Sequence, residues 1–448
     1  MDFASFCYTW VYDLNRYLSL PTIAIFFLVG LILTIKAKVP QIFAIKKFYE
    51  FIRYGVQELS YQTKEHIPVK TISPLQALFT SMATTIGMGN IVGPSMAIAI
   101  GGPGALFWLI LYIFIGAGTK FVEVAFSVYC RSISDNGEIV GGPSQYLKLV
   151  SPFLGYWYAL LTIFLFTVWS SIQVNTISCI CNLEGLPQWL SAFIAVSILL
   201  IVVLAGVKRI GSVASKLVPL MCLLYIGFAC AILLKHITLI IPSLKLVMES
   251  AFDINSMGSG LFMIPLFKGM KEGIYKGVFI TESGVGTSSI AHALSDVKHP
   301  IDQAVLSLFS SFTDIFLCLI SGLLTLVTKV WLLPGKLSNT LIYEVFKEYC
   351  PIYGGQFILI ISVFLFVITS LIGNTFNAGQ SVAALTHYRY VKVYFVIAAI
   401  VAFSGAIIPM PFLWNFMDVV LSLIAFPNLV GILILAFKYA DKLKFGRS

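Results

Sequence analysis

The sequence predicts an all-α polytopic membrane protein of eleven transmembrane helices. Ten of them form two five-helix sets of opposite orientation, and one additional helix precedes them at the N-terminus. Three observations carry this expectation. Of 448 residues, 58% are hydrophobic and only 11% charged, whereas a soluble domain carries about 25% charged residues. Eleven stretches approach the roughly 20 mainly apolar residues that a spanning helix needs. Two of the eleven, 74–99 and 262–290, are interrupted by glycines and polar residues, and each is followed by four unbroken stretches.

The spans fall at about 18–35, 74–99, 104–130, 152–180, 187–206, 214–234, 262–290, 303–328, 354–385, 392–410 and 412–437. The first lacks the basic leader and small-residue cleavage site of a signal peptide. Lys36 and Lys38 follow it as a stop-transfer pattern would, so it reads as a membrane helix. The stretch 46–66 is amphipathic, of mixed charge, and expected on the membrane surface. Counting Lys and Arg in alternate loops gives 19 on one side and 6 on the other. The positive-inside rule then places the N-terminus outside and the C-terminus in the cytoplasm. The domain reading is 1–73 for the first helix and its amphipathic segment, 74–234 and 262–437 for the two five-helix sets, and 438–448 for a cytoplasmic tail. Because five is odd, the two sets have opposite orientations. Such inverted repeats characterise secondary transporters, whose site lies where two broken helices meet.

The net charge of +9 sits mostly in loops on one side and does not point to nucleic acid. Eight cysteines lie scattered, mostly in apolar stretches, and read as small apolar fillers. The five histidines show no paired metal-ligand spacing. A membrane-embedded enzyme would need a catalytic constellation; the only candidate, His292 with Ser295 and Asp296, falls in a loop. An ion channel would carry symmetric filter segments, and none appears. The chain is therefore expected not to be an enzyme and to have no catalytic residues.

The first interruption reads Ala83-Thr84-Thr85-Ile86-Gly87-Met88-Gly89-Asn90, with Gly93-Pro94 beyond it. Glycine costs roughly 1 kcal/mol against alanine inside a helix, and proline roughly 3. In lipid such a break survives only where protein or a water-filled cavity satisfies the freed backbone. Unwound carbonyls can then ligate a cation, and the N-terminal end of the second half-helix can hold a carboxylate. Thr84, Thr85 and Asn90 add side-chain oxygens. In the second interruption Thr281, Glu282 and Ser283 precede Gly284. Gln173 and Asn175 lie in the fourth span, and Thr369, Ser370, Asn374 and Asn377 in the ninth. Positions 370, 374 and 377 share one helical face. A cage of neutral oxygens suits a monovalent cation such as sodium. Glu282 is open to three roles, neutralising a substrate ammonium, coupling a proton, or pairing with a nearby lysine such as Lys276, the last ranked slightly ahead; Lys120 is expected to pair with Glu123, and Lys268, Lys271 and Glu272 to line an outward vestibule. Asp314 stays ambiguous between a structural and a proton-coupling role.

The chain resembles the alanine or glycine:cation symporter family over nearly its whole length. The resemblance rests on ISPLQALFTSMATTIGMGNIVG (72–93), GGPGALFW (101–108), TKFVEV (119–124), GEIVGGP (137–143), GVKRIGSVASKLVP (206–219), GVGTSSIAHA (284–293) and FPNLVG (426–431). It implies a leucine-transporter-type fold and sodium- or proton-coupled uptake of small neutral amino acids across the cytoplasmic (inner) membrane. The family's GTGN break becomes Gly87-Met88-Gly89-Asn90. By that likeness Ala83 and Ile86 supply carbonyls to sodium, Thr369 and Ser370 complete the site, and Thr85 and Asn90 offer a second cation position. Thr84, Gly87, Met88, Gly89 and Asn90 then line the substrate, with Gln173 matching a family glutamine. The family's FSNEAG becomes Phe279-Ile280-Thr281-Glu282-Ser283-Gly284. A family tryptophan that closes a very small pocket becomes Asn374, so a larger or more polar neutral amino acid, with proton as the coupling ion, is the alternative.

Overall fold

The computed structural model describes residues 3–54, 71–133, 139–252, 263–333 and 340–443. It is nearly all helical. In chain order the helices are α1 (Phe3–Lys36), α2 (Pro40–Tyr54), α3 (Pro74–Thr85), α4 (Met88–Gly101), α5 (Ala105–Tyr129), α6 (Pro143–Tyr146), α7 (Pro152–Leu183), α8 (Gln188–Val203) and α9 (Val207–Lys235). They continue with α10 (Ile237–Phe252), α11 (Met263–Thr281), α12 (Ser289–His292), α13 (Pro300–Val327), α14 (Leu341–Tyr349), α15 (Gly355–Thr386), α16 (Val391–Ser404) and α17 (Met410–Lys438). A two-residue antiparallel pair, β1 (Ser132–Ile133) with β2 (Ile139–Val140), follows α5.

Among the described residues, eight stretches are long and apolar enough to cross a membrane: α1, the combined 74–101 stretch of α3 and α4, α5, α7, α9, α13, α15 and α17. The helices α8 and α16 are apolar but shorter, at 16 and 14 residues. The 19-residue α11 carries Lys268, Lys271, Glu272 and Lys276 along its first part. The helices α10 and α14 lie in stretches read from the sequence as loops. The amphipathic stretch begins as α2; its remainder, 55–66, lies outside the described residues.

The broken stretch is the central one. In the most apolar window of 74–101, 89% of residues are buried, against 39% in α9. Around it, α5 packs on α11 and α13, α15 on α7, and α1 on α17 and α5, within one contiguous apolar core. Local signals fix the start of this element. Ser73 caps α3 by accepting from the Gln76 amide while the Gln76 side chain accepts from the Ser73 amide, and Pro74 occupies the first turn.

Both interruptions read from the sequence are present. The first separates α3 from α4 at Ile86 and Gly87. The second runs from Glu282 to Ser288, between α11 and α12. There Glu282 itself holds φ +57, and Gly284 and Gly286 hold φ +83 and +87. A left-handed conformation costs a residue with a Cβ roughly 1–2 kcal/mol. The chain meets that requirement with glycine twice and leaves it standing once, at a carboxylate.

Candidate functional site

At the first break the backbone donors turn away from the helix. The Gly87 amide donates to Asn90 Oδ1 at 3.1 Å, and the Met88 amide to Gln173 Oε1 at 3.4 Å. The Asn90 amide donates to the Gly87 carbonyl. In an unbroken helix these three amides would serve the carbonyls of Ala83, Thr84 and Ile86. Those carbonyls are thereby released, and buried carbonyls need partners.

Helix α15 closes over this gap. A Cβ built on Gly87 would stand 2.3 Å from Ser370 Oγ and 2.9 Å from Gln173 Nε2, so both side chains rest directly on the glycine. A Cβ on Gly373 would meet Thr84 Cγ2 at 2.6 Å and the Ala83 carbonyl carbon at 3.1 Å. Two glycines, one on each side, let the α15 backbone reach the opened peptides. Gly87 has extended φ and ψ of −133° and −161°; space, not backbone conformation, excludes a side chain there. Ser370 Oγ, Asn374 Nδ2, Thr375 Oγ1 and Asn377 Oδ1 on α15 are buried and have no hydrogen-bond partner. A buried polar group without a partner costs roughly 1–3 kcal/mol, and Ser370, Asn374 and Asn377 carry that cost together on one face of α15.

Asn90 ties the break to a buried charge cluster. Its Nδ2 donates to Asp314 Oδ1 at 2.8 Å, and its carbonyl accepts from Ser321. Both polar ends of the Asn90 side chain thus hold protein groups. The Thr369 hydroxyl, expected in the sodium cage, donates to the Leu365 and Phe366 carbonyls and lies 3.2 Å from Met221 Sδ. The Thr85 hydroxyl is 3.5 Å from the Ser81 carbonyl. Phe279 stands against Gly89, whose added Cβ would lie 2.7 Å from the ring. Phe279 also meets Trp169 at 4.9 Å and Trp414 at 4.7 Å between ring centroids. That aromatic layer is not legible as a unit in the sequence, because its members are more than 100 positions apart on three helices.

The second break is built the other way. Its carbonyls are filled by donors from five helices. Tyr112 serves Ser283, Asn428 serves Gly284, Tyr158 serves Val285, and Asn377 serves Thr287. Ser81 serves Ser288, and Ser127 serves Ser289. Thr281 donates to the Gly277 carbonyl, and the Cα of Gly284 faces Phe26 of α1 and Leu429 of α17. Of the second-break residues expected at the substrate, the structure brings Phe279 to the first break; the Thr281 hydroxyl and Gly284 have these other partners. Ser283 Oγ has none.

The expected ion pairs are corrected. Glu282 does not pair with Lys276. Its carboxylate accepts from Thr287, five residues on, at 2.5 Å, because the left-handed turn folds the chain back on itself. The Lys276 ammonium instead lies 3.4 Å from the centroid of the Trp414 ring. Lys120 does not pair with Glu123 either. It donates to Ser310 on α13 at 2.8 Å, while Glu123 accepts from Asn428. Lys120, Glu123, Glu282 and Asp314 nevertheless act on one another as one buried set of charges. Of the three residues expected at a vestibule, Lys271 and Glu272 line a cavity and Lys268 is not part of its lining. His292 is wholly buried against Gln303 rather than in an exposed loop.

The chain matches the model of the sodium:alanine symporter family over residues 4–445. It is 32% identical to the sodium/alanine symporter AgcS of Methanococcus maripaludis over 377 residues, 82% of each chain. It is 28% identical to the probable sodium/glutamine symporter GlnT of Bacillus subtilis, over 91% of this chain and 84% of that one. A solved Na+-coupled sialic acid symporter superposes with a TM-score of 0.55 over 88% of this chain and 82% of that chain; at 11% identity this is a likeness of fold alone. The chain belongs to the sodium:alanine symporter family and is a multi-pass membrane transporter, not an enzyme.

Proposed function

We propose that the protein takes up neutral amino acids by sodium-coupled symport and alternating access. One observation carries the reading. The break takes from the Ala83 and Ile86 carbonyls the amides of an unbroken helix, and α15 rests on it with Gly373 at the Ala83 peptide and the buried, unpartnered Ser370 hydroxyl at Gly87. Released carbonyls with a hydroxyl form an oxygen cage that matches sodium without a full negative charge. The N-terminal end of α4, at Met88 and Gly89, carries the positive end of a helix dipole and suits the substrate carboxylate. Gln173 and Phe279 complete the pocket from α7 and α11. Sodium, as cargo, orders the break and α15 together and so forms the carboxylate site. Such coupling is reciprocal in binding free energy, typically 1–3 kcal/mol.

The wider reading is a core of ten helices in two inverted sets of five, 74–234 and 262–437, preceded by one more span. With α8, α11 and α16 counted as spans, the total is eleven, with the N-terminus outside and the C-terminus inside. Small neutral amino acids such as alanine and glycine are the first substrate class. The free Asn374 amide favours a second reading within the same class, a larger or more polar neutral amino acid. Asp314 Oδ2, buried without a partner, keeps proton in place of sodium as the alternative coupling ion.

The test is uptake into proteoliposomes under an inward sodium gradient, with alanine, glycine, serine and glutamine as labelled substrates and potassium as control. Uptake of at least one of them that collapses without the sodium gradient is expected. Uptake indifferent to both sodium and pH gradients overturns the coupling.

A further inference from the structure

A cavity of about 760 Å³ lies above the aromatic layer, at the opposite end of the bundle from Ser73 and His292. Small-molecule sites run from roughly 300 to 1,000 Å³. The first turns of α17, the middle of α11, the end of α7 and one face of α1 enclose it. Its lining is mostly apolar but gathers several charged and amide side chains. Glu272 and Lys276 come from α11, Asp418 and Asn415 from α17, and Asn15 from α1.

The charges are close but not joined. Asp418 and Glu272 are the acids that act on Lys276, yet neither forms an ion pair with it. Lys276, 6% exposed, rests on the Trp414 ring face, and that is its one direct partner. Asp418 accepts from Asn15 at 3.3 Å, and Asn15 also donates to Asn415. Asn15 Oδ1 and Trp414 Nε1 are buried with no partner, on residues 7% and 9% exposed. Charged groups at such depth ordinarily pair with each other. A cation and an anion that line one cavity without forming an ion pair, with a spare acceptor and a spare donor beside them, match a ligand that itself carries both charges.

We propose that this cavity is a second binding site for an amino-acid zwitterion, its carboxylate on Lys276 and its ammonium on Asp418. The proposal rests on the amino-acid reading above. Trp414 forms the floor of the upper site and, through Phe279, the roof of the lower one at Gly89. A molecule held above lies one aromatic layer from the broken helix. The upper site requires both ends of the zwitterion, so it filters substrates by charge pattern rather than by side chain.

Equilibrium dialysis of the purified full-length protein in sodium, with labelled alanine and labelled glutamine, reads the number of molecules bound. Two per chain are expected for at least one of these. Lys276→Met and the isosteric Asp418→Asn each lower this to one, with the remaining affinity within about threefold of the tighter wild-type site. In the wild type, the amide of the same amino acid, which lacks the carboxylate, fails to displace the second molecule. A wild type that binds one molecule per chain, with either variant on the same curve, overturns the second site and leaves the symporter reading intact. A wild type that binds none of these amino acids, in sodium or at any proton gradient across proteoliposomes, overturns the reading on which it rests.

Discussion

Asn90 and Asp314 stand 224 positions apart in the chain and share a 2.8 Å hydrogen bond beside the first helix break. Through the other end of its side chain Asn90 also holds the Gly87 amide. One residue thus connects the opened backbone to the buried charges of α5, α13 and the second break. Asn90→Ala removes the donor from a buried carboxylate, and hydrogen bonds to charged groups are worth roughly 1.5–3 kcal/mol. A fall in thermal stability of the detergent-solubilised protein is expected, together with at least a fivefold rise in the sodium concentration that half-saturates uptake. Unchanged sodium dependence would remove Asn90 from the coupling path.

Gly87→Ala places a methyl group 2.3 Å from Ser370 Oγ. Overpacking of this kind costs roughly 1–3 kcal/mol, which lowers sodium-driven uptake roughly 5- to 150-fold. Adding Ser370→Ala removes the clashing oxygen, so the double variant recovers its fold, measured as melting temperature, but not its sodium affinity. Recovery of both would show that Ser370 contributes only shape.

Removing the hydroxyls that seal the second break tests the asymmetry between the two interruptions. Tyr112→Phe and Tyr158→Phe each leave a buried carbonyl, of Ser283 and Val285 respectively, without its donor. A loss of about 1–3 kcal/mol in stability is expected from each, with sodium half-saturation within about twofold of wild type. A large shift in sodium affinity would place the ion at the second break.

The His292 imidazole, outside the spanning segments, is pushed by burial from 6.5 down to about 3, and the Lys120 charge adds to this. The unfolded chain therefore binds a proton there that the folded chain refuses. Stability is complete above about pH 6.5 and falls as pH is lowered from there toward 3. His292→Gln keeps a polar partner for Gln303 and removes this titration. Its melting temperature should fall less steeply between pH 6.5 and 5 than that of the wild type, and identical slopes would refute the assignment.

Asn374→Ala removes an amide that has no partner in the protein. If that amide meets the substrate, competition against alanine shifts. The affinity ratio of serine or glutamine to alanine drops about tenfold, equivalent to ~1.4 kcal/mol. An unchanged ratio places substrate selection elsewhere in the pocket.

The first break was legible because glycine and proline disfavour helix wherever they stand, and here they interrupt an otherwise apolar span. The same holds for the second break, for the α5, α7, α13, α15 and α17 spans, and for the membrane class, all of which follow from local composition and length. What the sequence could not decide is partnership. Lys120 with Glu123 follows from i,i+3 spacing and Glu282 with Lys276 from nearness in the chain, yet a left-handed turn sends Glu282 to Thr287, and Lys120 reaches across to α13. Asn90 is an oxygen source in sequence and a bracket in three dimensions. Hydropathy and helix breaking depend on each residue and its near neighbours, so the chain alone determined where the helices run and stop. Buried charges and hydroxyls choose partners by distance after packing, so only the tertiary structure decided which break keeps its oxygens open and which is sealed.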